Sequence, residues 1–391
     1  MQEDAPRRIL ALDVARACGM FLICTAHFVD VYNTPYPSAD PHSLIVQIIN
    51  AICRVATPTF FLVSGILLGY FAKTKAFDFT RVRLHFFDRA IFLVTVGHML
   101  VAVAWAPRSG LFNALSVGFV TDTLAFCIIG SLLLLPYLKG ISTRIWIGTI
   151  LYLIGWTGWS LWHPDNLALI TIRSIFLGPN ENGHHIFYDP LLPWFGVYLI
   201  GTSLGSWLGT FERDNLHCAG KILARYSAVL FIFVLSLNVL TLALNKFSLV
   251  EVPAYLLAWG KKYPPGPSYV LLFGSAALLL IGGMLMLVRS HRPSPLRSVF
   301  ESIGRNSFPI LIVQYFMYYS VLFLLETKFY KPTILVAVVF YLGSLLGIIW
   351  LSLIFDRFGV NRFWTVRLLS PVFRWFHSKP DAGQSDLVSK V

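Results

Sequence analysis

Residues 9–29 form a membrane-length apolar segment that nevertheless carries Asp13, Arg16 and His27. An ionisable side chain is expensive in hydrocarbon and marks a functional site by default. Asp13 and Arg16 stand three residues apart, so on a helix they are neighbours and can pair. Arg16 and His27 are separated by eleven residues, close to three whole turns, or roughly 16 Å along the axis. All three therefore share one helical stripe, with the ion pair near one end and the histidine near the other. A buried ionised stripe on a first helix points to chemistry rather than to simple anchoring.

The rest of the chain has the character of a polytopic membrane protein. Of its 391 residues 56% are hydrophobic and 13% are charged, against about 25% charged in a soluble domain. Its mean hydropathy is +0.69. Ten apolar spans can be drawn, at 9–29, 44–71, 86–105, 113–136, 145–162, 190–208, 223–245, 268–288, 306–325 and 332–355. The expected fold is all-α with about ten transmembrane helices, in a membrane domain over 1–355 and a basic cytoplasmic tail over 356–391. That tail interleaves Arg357, Arg362, Arg367 and Arg374 with Phe and Trp, as an interfacial segment does, and its last dozen residues read as disordered.

The net charge of +12 does not imply nucleic acid. The basic residues lie mainly in loops beside apolar spans, where they act as topology signals and headgroup contacts. With the N-terminus inside, 22 of the 31 Lys and Arg fall on the inner side and seven in outer loops, while Arg16 and Arg54 lie in or at the edge of spans. This bias supports N-in, C-in, and puts His27 near the outer surface. Asp13 and Arg16 interrupt the place where a signal peptide's apolar run would lie, so the first segment is expected to remain. The five cysteines show neither CxxC nor metal-ligand spacing; they read as apolar fillers, and no metal or bound cofactor is expected.

Five pieces carry candidate chemistry. The first is LDVARACGMFLICTAHF at 12–28, followed by Asp30 one turn beyond His27. A carboxylate at that spacing can hold one ring nitrogen and leave the other as a base. The second is the cluster Arg81, Arg83, His85 and Arg89 at the inner entry to the third span. It suits the phosphates of a nucleotide-like donor, although positive-inside bias alone explains Arg81 and Arg83. The third is TPTFFLVSG at 57–65, where Pro58 kinks a helix and Ser64 and Gly65 permit close approach. The fourth is YDPLLPWFGVYLIGTSLGSWLG at 188–209, with Trp194 near an outer boundary, and the fifth is GRNSFPILIVQYF at 304–316. The outer loop 163–189, with Asn180, Asn182, His184 and His185, either lines a polar-substrate site or is a solvated connector.

In this order the five pieces resemble the transmembrane acyltransferases. LDVARACGMFLICTAHF is similar to their Leu-Asp-x-x-Arg, apolar run and His. TPTFFLVSG resembles their Phe-Phe-x-x-Ser-Gly. YDPLLPWFGVYLIGTSLG looks most like the branch holding the catalytic domain of heparan-α-glucosaminide N-acetyltransferase, and GRNSFPILIVQYF is similar to the Gly-Arg-x-Ser segment of acyltransferase type 3 proteins. The resemblance implies acyl transfer from cytosolic acyl-CoA, most simply acetyl-CoA, to a glycan or glycolipid on the far side, with His27 as the essential histidine. Two departures stand out. Arg89 has Phe86 three residues before it, where the type 3 pattern has a second Arg. The late motif has Ile312 and Gln314 where a Tyr and a His are common.

The sequence thus reads as an integral membrane O- or N-acyltransferase, expected in a bacterial inner membrane. His27 and Asp30 would be catalytic; Asp13, Arg16, Arg83, Arg89 and Ser64 would serve the donor; Asn180, Asn182, His184, His185 and Trp194 would lie on the acceptor side. His27 would act either as a base or as a transient acyl carrier. Acyl-CoA, a glycan acceptor and membrane lipids are the expected partners, with a second copy of the chain possible in principle and nucleic acid excluded. A multi-pass transporter or flippase is the competing class, since it too uses intramembrane charge, but no inverted repeat is visible. The charge bias predicts that reporter tags at the N-terminus, near Lys75 and at the C-terminus all face the cytoplasm and that a tag in 163–189 faces outward. A Lys75 tag found outside would reverse the assignment.

Overall fold

A bilayer offers no water to satisfy exposed backbone, so apolar spans of this length are driven into helices. The computed structural model describes residues 9–33, 44–74, 79–179, 187–247, 262–288, 294–328 and 334–359. Among these residues no strand forms; one isolated bridge joins Gly118 and Phe187. The loop residues Asn180, Asn182, His184 and His185, and the basic tail beyond residue 359, lie outside the described residues.

In chain order the helices are α1 (Leu10–Asn33), α2 (Leu44–Cys53), α3 (Ala56–Thr74), α4 (Phe79–Phe92), α5 (His98–Ser109), α6 (Leu111–Ser116), α7 (Val120–Leu134), α8 (Ile141–Leu161), α9 (Leu167–Phe176) and α10 (Leu191–Leu208). After them come α11 (Leu216–Lys246), α12 (Pro267–Leu287), α13 (Pro295–Arg305), α14 (Ser307–Tyr315), α15 (Phe323–Lys328) and α16 (Ile334–Arg357). π-helical turns at Leu93–Gly97 and Phe316–Leu322 join α4 to α5 and α14 to α15.

Eight helical stretches among the described residues are long and apolar enough to cross a membrane. They coincide with eight of the ten expected spans. The other two also fold as helices but are weaker candidates. The segment 113–136 breaks into α6 and the 15-residue α7, and the 21-residue α8 carries Ser142, Thr143 and Arg144 in its first turn.

The spans divide into inner and peripheral ones. Leu191–Leu208 and Val46–Thr74 are mostly buried, whereas Arg213–Lys246 and Leu335–Arg357 are mostly exposed and present Leu, Val and Ile outward. The central pair meets through small residues. Gly65 and Gly69 on α3 and Gly201 and Gly205 on α10 are each four apart, so each pair lies on one helix face. A Cβ at Gly69 would collide with the Thr202 carbonyl, and one at Gly205 with that of Ile66. These obstacles are backbone and cannot rotate aside, which is the logic of small-residue packing in membranes.

A second close crossing seats α1. A Cβ at Gly304 would strike the backbone of Asp13. Next to it, Arg305 pairs with Asp356 at 2.6 Å, and Asn306 Nδ2 donates to the Ser302 and Ser352 carbonyls and to Asp356 Oδ1, tying α13 to α16. The late Gly-Arg-Asn-Ser segment is thus the seat of the first-helix Asp-x-x-Arg segment. The early turns of α1 join a core shared with α3, α4, α7, α10 and α12, and its later turns join one shared with α5, α14 and α16.

Replacing Gly205 with Val should overpack the α3–α10 crossing. The expected loss is at least the ~1–3 kcal/mol of an overpacked core, read as a lower thermal midpoint of purified protein in detergent. An unchanged midpoint would mean that the two helices do not meet this closely.

Candidate active site

A cavity of about 700 Å³ is walled by α1, α2, α3, the α4–α5 span, α7, α12 and α14, with the turns at 188–189 and 262–263. Arg16, Ser64 and Arg89 line it, and so do His27 and Asp30. The stripe on α1 therefore runs along the cavity wall.

At the Arg16 end, Arg16 Nη1 lies 3.5 Å from Asp13 Oδ1, with both side chains largely buried. Asp13 stands behind the wall as the partner of Arg16 and is not itself part of the lining. Ser64 Oγ and Tyr198 OH are 3.3 Å apart, and Ser307 and Phe308 close this end. Arg89 reaches the cavity and Arg83 is not among its lining residues. Six residues apart on one helix, the two point about 120° away from each other. Arg83 therefore lies off the cavity that Arg89 lines.

At the other end His27 Nδ1 lies 2.8 Å from Gln314 Oε1. The amide oxygen can only accept, so Nδ1 carries the proton, and in the neutral ring Nε2 keeps its lone pair. The ring packs against Tyr315 and Tyr319, with centroids 4.9 and 5.1 Å away. Gln314 thus takes the orienting place expected of Asp30, that of the group holding one ring nitrogen. Asp30 Oδ2 instead accepts from Arg108 Nη1 at 2.9 Å and from Tyr319 OH at 3.2 Å. Gln314 on α14 and Tyr319 in the π-helical turn that follows it both face α1, so one wall supplies a partner to His27 and another to Asp30.

The arrangement adds groups that the motifs do not single out. Arg108 stacks over Trp105 at 5.0 Å and over Tyr319 at 5.7 Å. Asp189 and Lys262 pair at 3.8 Å, and the ammonium sits 4.8 Å from the Tyr263 ring. Burial pushes the Asp189 carboxyl up, and Lys262 counters it only in part. Burial pulls the Lys262 ammonium down, but Asp189 and the surrounding tyrosines outweigh it and leave it raised, so it stays charged. Asp189 belongs to the YDP segment and Lys262 to a Lys-Tyr-Pro-Pro turn; each reads alone as a loop residue, and only the fold pairs them.

Trp194 lies in the core rather than on the acceptor side, stacked on Phe61 with centroids 4.6 Å apart. It begins α10, whose glycine face holds α3, so its ring turns inward with that face. His98 is another group the motifs do not reveal. Its Nδ1 meets Asp122 Oδ2 at 2.9 Å and its Nε2 meets the Leu115 carbonyl at 3.1 Å. Asp122 also accepts from the Phe119 amide at 2.7 Å, so this cluster fixes the start of α7 against α5.

The cavity is lined by Arg16 and Arg89 and by an imidazole whose Nδ1 is held, which in the neutral ring leaves Nε2 as a base. That is the equipment of a group transfer assisted by a base. Residues 9–354 match a family model described as an acyltransferase domain, that of acyltransferase type 3. No curated protein and no solved structure matches the chain. The family gives no support to the transporter reading. With nearly its whole length matched and eight helices fit to cross a membrane, the chain belongs to the acyltransferase type 3 family and is an integral membrane acyltransferase.

Proposed function

We propose that this protein moves an acyl group, most simply acetyl, from cytosolic acyl-CoA to a hydroxyl or amine of a glycan on the outer side of a bacterial inner membrane. The observation that carries the reading is one cavity lined both by Arg16 and Arg89 and by His27. The positive-inside bias supports placing the Arg16 end toward the cytoplasm, where acyl-CoA resides. The YDPLLPW segment, with its likeness to a glycan-directed branch, supports a glycan acceptor.

In this mechanism Arg16 and Arg89 hold anionic oxygens of the donor by charge-assisted hydrogen bonds. The acyl chain lies past Ser64, and the acceptor enters beside His27. Nε2 of His27 takes the proton of the acceptor hydroxyl or amine as its oxygen or nitrogen attacks the thioester carbonyl. The tetrahedral intermediate collapses, the C–S bond breaks, and the thiolate leaves with the proton that His27 returns. Gln314 holds the tautomer that this requires, since a ring with Nε2 protonated could not accept.

His27→Ala should lower acyl transfer by about 10²–10⁴-fold, the range for loss of a general base, at equal amounts of folded protein. Activity near that of the parent would remove the mechanism. Gln314→Leu should lower kcat with little change in donor KM, because it frees the ring without emptying the donor end. A donor experiment separates the arginines: Arg89→Ala should weaken acyl-CoA binding by the ~1.5–3 kcal/mol of a charged hydrogen bond, and Arg83→Ala should not. Equal losses would return Arg83 to the donor site.

A further inference from the structure

The His27 end of the cavity holds more positive charge than its own carboxylates neutralise. Asp30 is matched by Arg108 and Asp189 by Lys262. Arg54 also lines the cavity, and among the described residues no carboxylate pairs with it. It sits at the break between α2 and α3, ten residues on the outer side of Ser64, or about 15 Å along the helix axis. The fold anchors it there through its backbone, because Tyr269 OH donates to the Arg54 carbonyl at 3.1 Å. Tyr269 itself lines the cavity, as does Lys262.

A guanidinium with no carboxylate partner in a partly desolvated cavity is an open site for an anion, and its planar fork matches a carboxylate or phosphate in two-point fashion. The surroundings narrow the ligand further. Tyr188, Tyr263, Tyr269, Tyr315 and Tyr319 all line the cavity and offer flat apolar faces bearing hydroxyls. That combination suits a polar ring with a charged substituent better than an aliphatic chain. Asn50, Arg54, Thr57 and Ser64 recur at helical spacing and all line the cavity, so Arg54 shares one wall with Ser64.

We propose that Arg54 is an anion subsite for the acceptor, so that the sugar receiving the acyl group is acidic and presents its carboxylate or phosphate to Arg54 while a hydroxyl or amine lies at His27. This rests on the acyl-transfer reading for the identity of the reacting group, but the subsite itself is a binding property and is measurable without transfer.

The test uses purified full-length protein in nanodiscs and two matched probes: an oligogalacturonate trisaccharide and its carboxyl-reduced, neutral counterpart. Their affinities are measured by calorimetry without donor, for the parent, Arg54→Gln and Arg54→Lys. The acidic trisaccharide should bind roughly 10- to 100-fold more tightly than the neutral one, the range of a charge-assisted contact. Arg54→Gln should erase that preference while leaving the neutral affinity in place, and Arg54→Lys should restore part of it. Equal affinities in the parent, absent binding of the acidic probe, or a preference that survives in Arg54→Gln would overturn the proposal. Acyl-CoA affinity is measured on the same variants. A loss that falls on acyl-CoA instead would assign Arg54 to the donor's phosphates and overturn it equally. Radiolabelled acetyl-CoA is then added. Charge-selective, Arg54-dependent binding with no labelled sugar and no donor cleavage would keep the subsite and sink the acyl-transfer reading; labelling that favours the neutral sugar would do the opposite.

Discussion

Arg16 brings a full charge into an apolar interior, and the architecture is arranged so that α1 can keep it there. The isolated charge would be prohibitive in a medium of low dielectric, where water no longer screens it. Two features make it tolerable. Asp13 lies one turn away and pairs with it, and Gly304 lets α13 press directly on the Asp13 backbone. The first fixes the charge and the second fixes the helix. With α1 seated there, its face from Arg16 to Asp30 lines the cavity and His27 comes to the opposite end. A side chain at position 304 would push α1 away and shift both ends of the site at once.

The same economy governs the rest of the cavity. The central α3–α10 pair is glycine-faced, so the two helices pack backbone to backbone and turn their larger side chains elsewhere. The space gained around them is lined by α1, the α4–α5 span and α14. The π-helical turns at Leu93–Gly97 and Phe316–Leu322 lie beside this space. Each adds a residue to a helical turn and so re-aims the side chains beyond it, and through the second Tyr319 reaches Asp30. Charge is handled pairwise: Asp13 with Arg16, Asp30 with Arg108, Asp189 with Lys262. For the buried Asp13–Arg16 pair, removing one member costs more than the pair contributes, because a charge is then left without compensation, whereas in the Asp30–Arg108 pair the carboxylate is half exposed.

The helical class and the order of the spans are legible in the sequence, because a bilayer allows an apolar run of that length few other conformations. The stripe of Asp13, Arg16 and His27 is legible as well, since helical periodicity alone aligns it. Partnership across the fold is not. Gln314 stands out in sequence only as a residue where a histidine is common; the fold brings it, 287 positions away in the chain, to His27. Asp30 sits one turn from His27 and reads as its orienting carboxylate, but Arg108 and Tyr319 hold its Oδ2. Arg83 and Arg89 both read as donor contacts, although positive-inside bias already explains Arg83, and only Arg89 lines the cavity. Trp194 resembles an interfacial ring, and the inward face of α10 makes it a core residue instead. In each case a local pattern is correct about the element and silent about which neighbour faces it.

The central claim is that one cavity holds the donor by Arg16 and Arg89 and presents its acyl group to His27. An electron cryomicroscopy structure of the protein in nanodiscs with a non-cleavable thioether analogue of acetyl-CoA tests it most directly. The account predicts density through the cavity, with the analogue's anionic groups toward Arg16 and Arg89. The carbon replacing the thioester carbonyl should lie close enough to His27 for an acceptor atom to fit between them, with reacting atoms about 3–3.5 Å apart. An analogue bound at another surface, or one in this cavity with its acyl end turned away from His27, would contradict it.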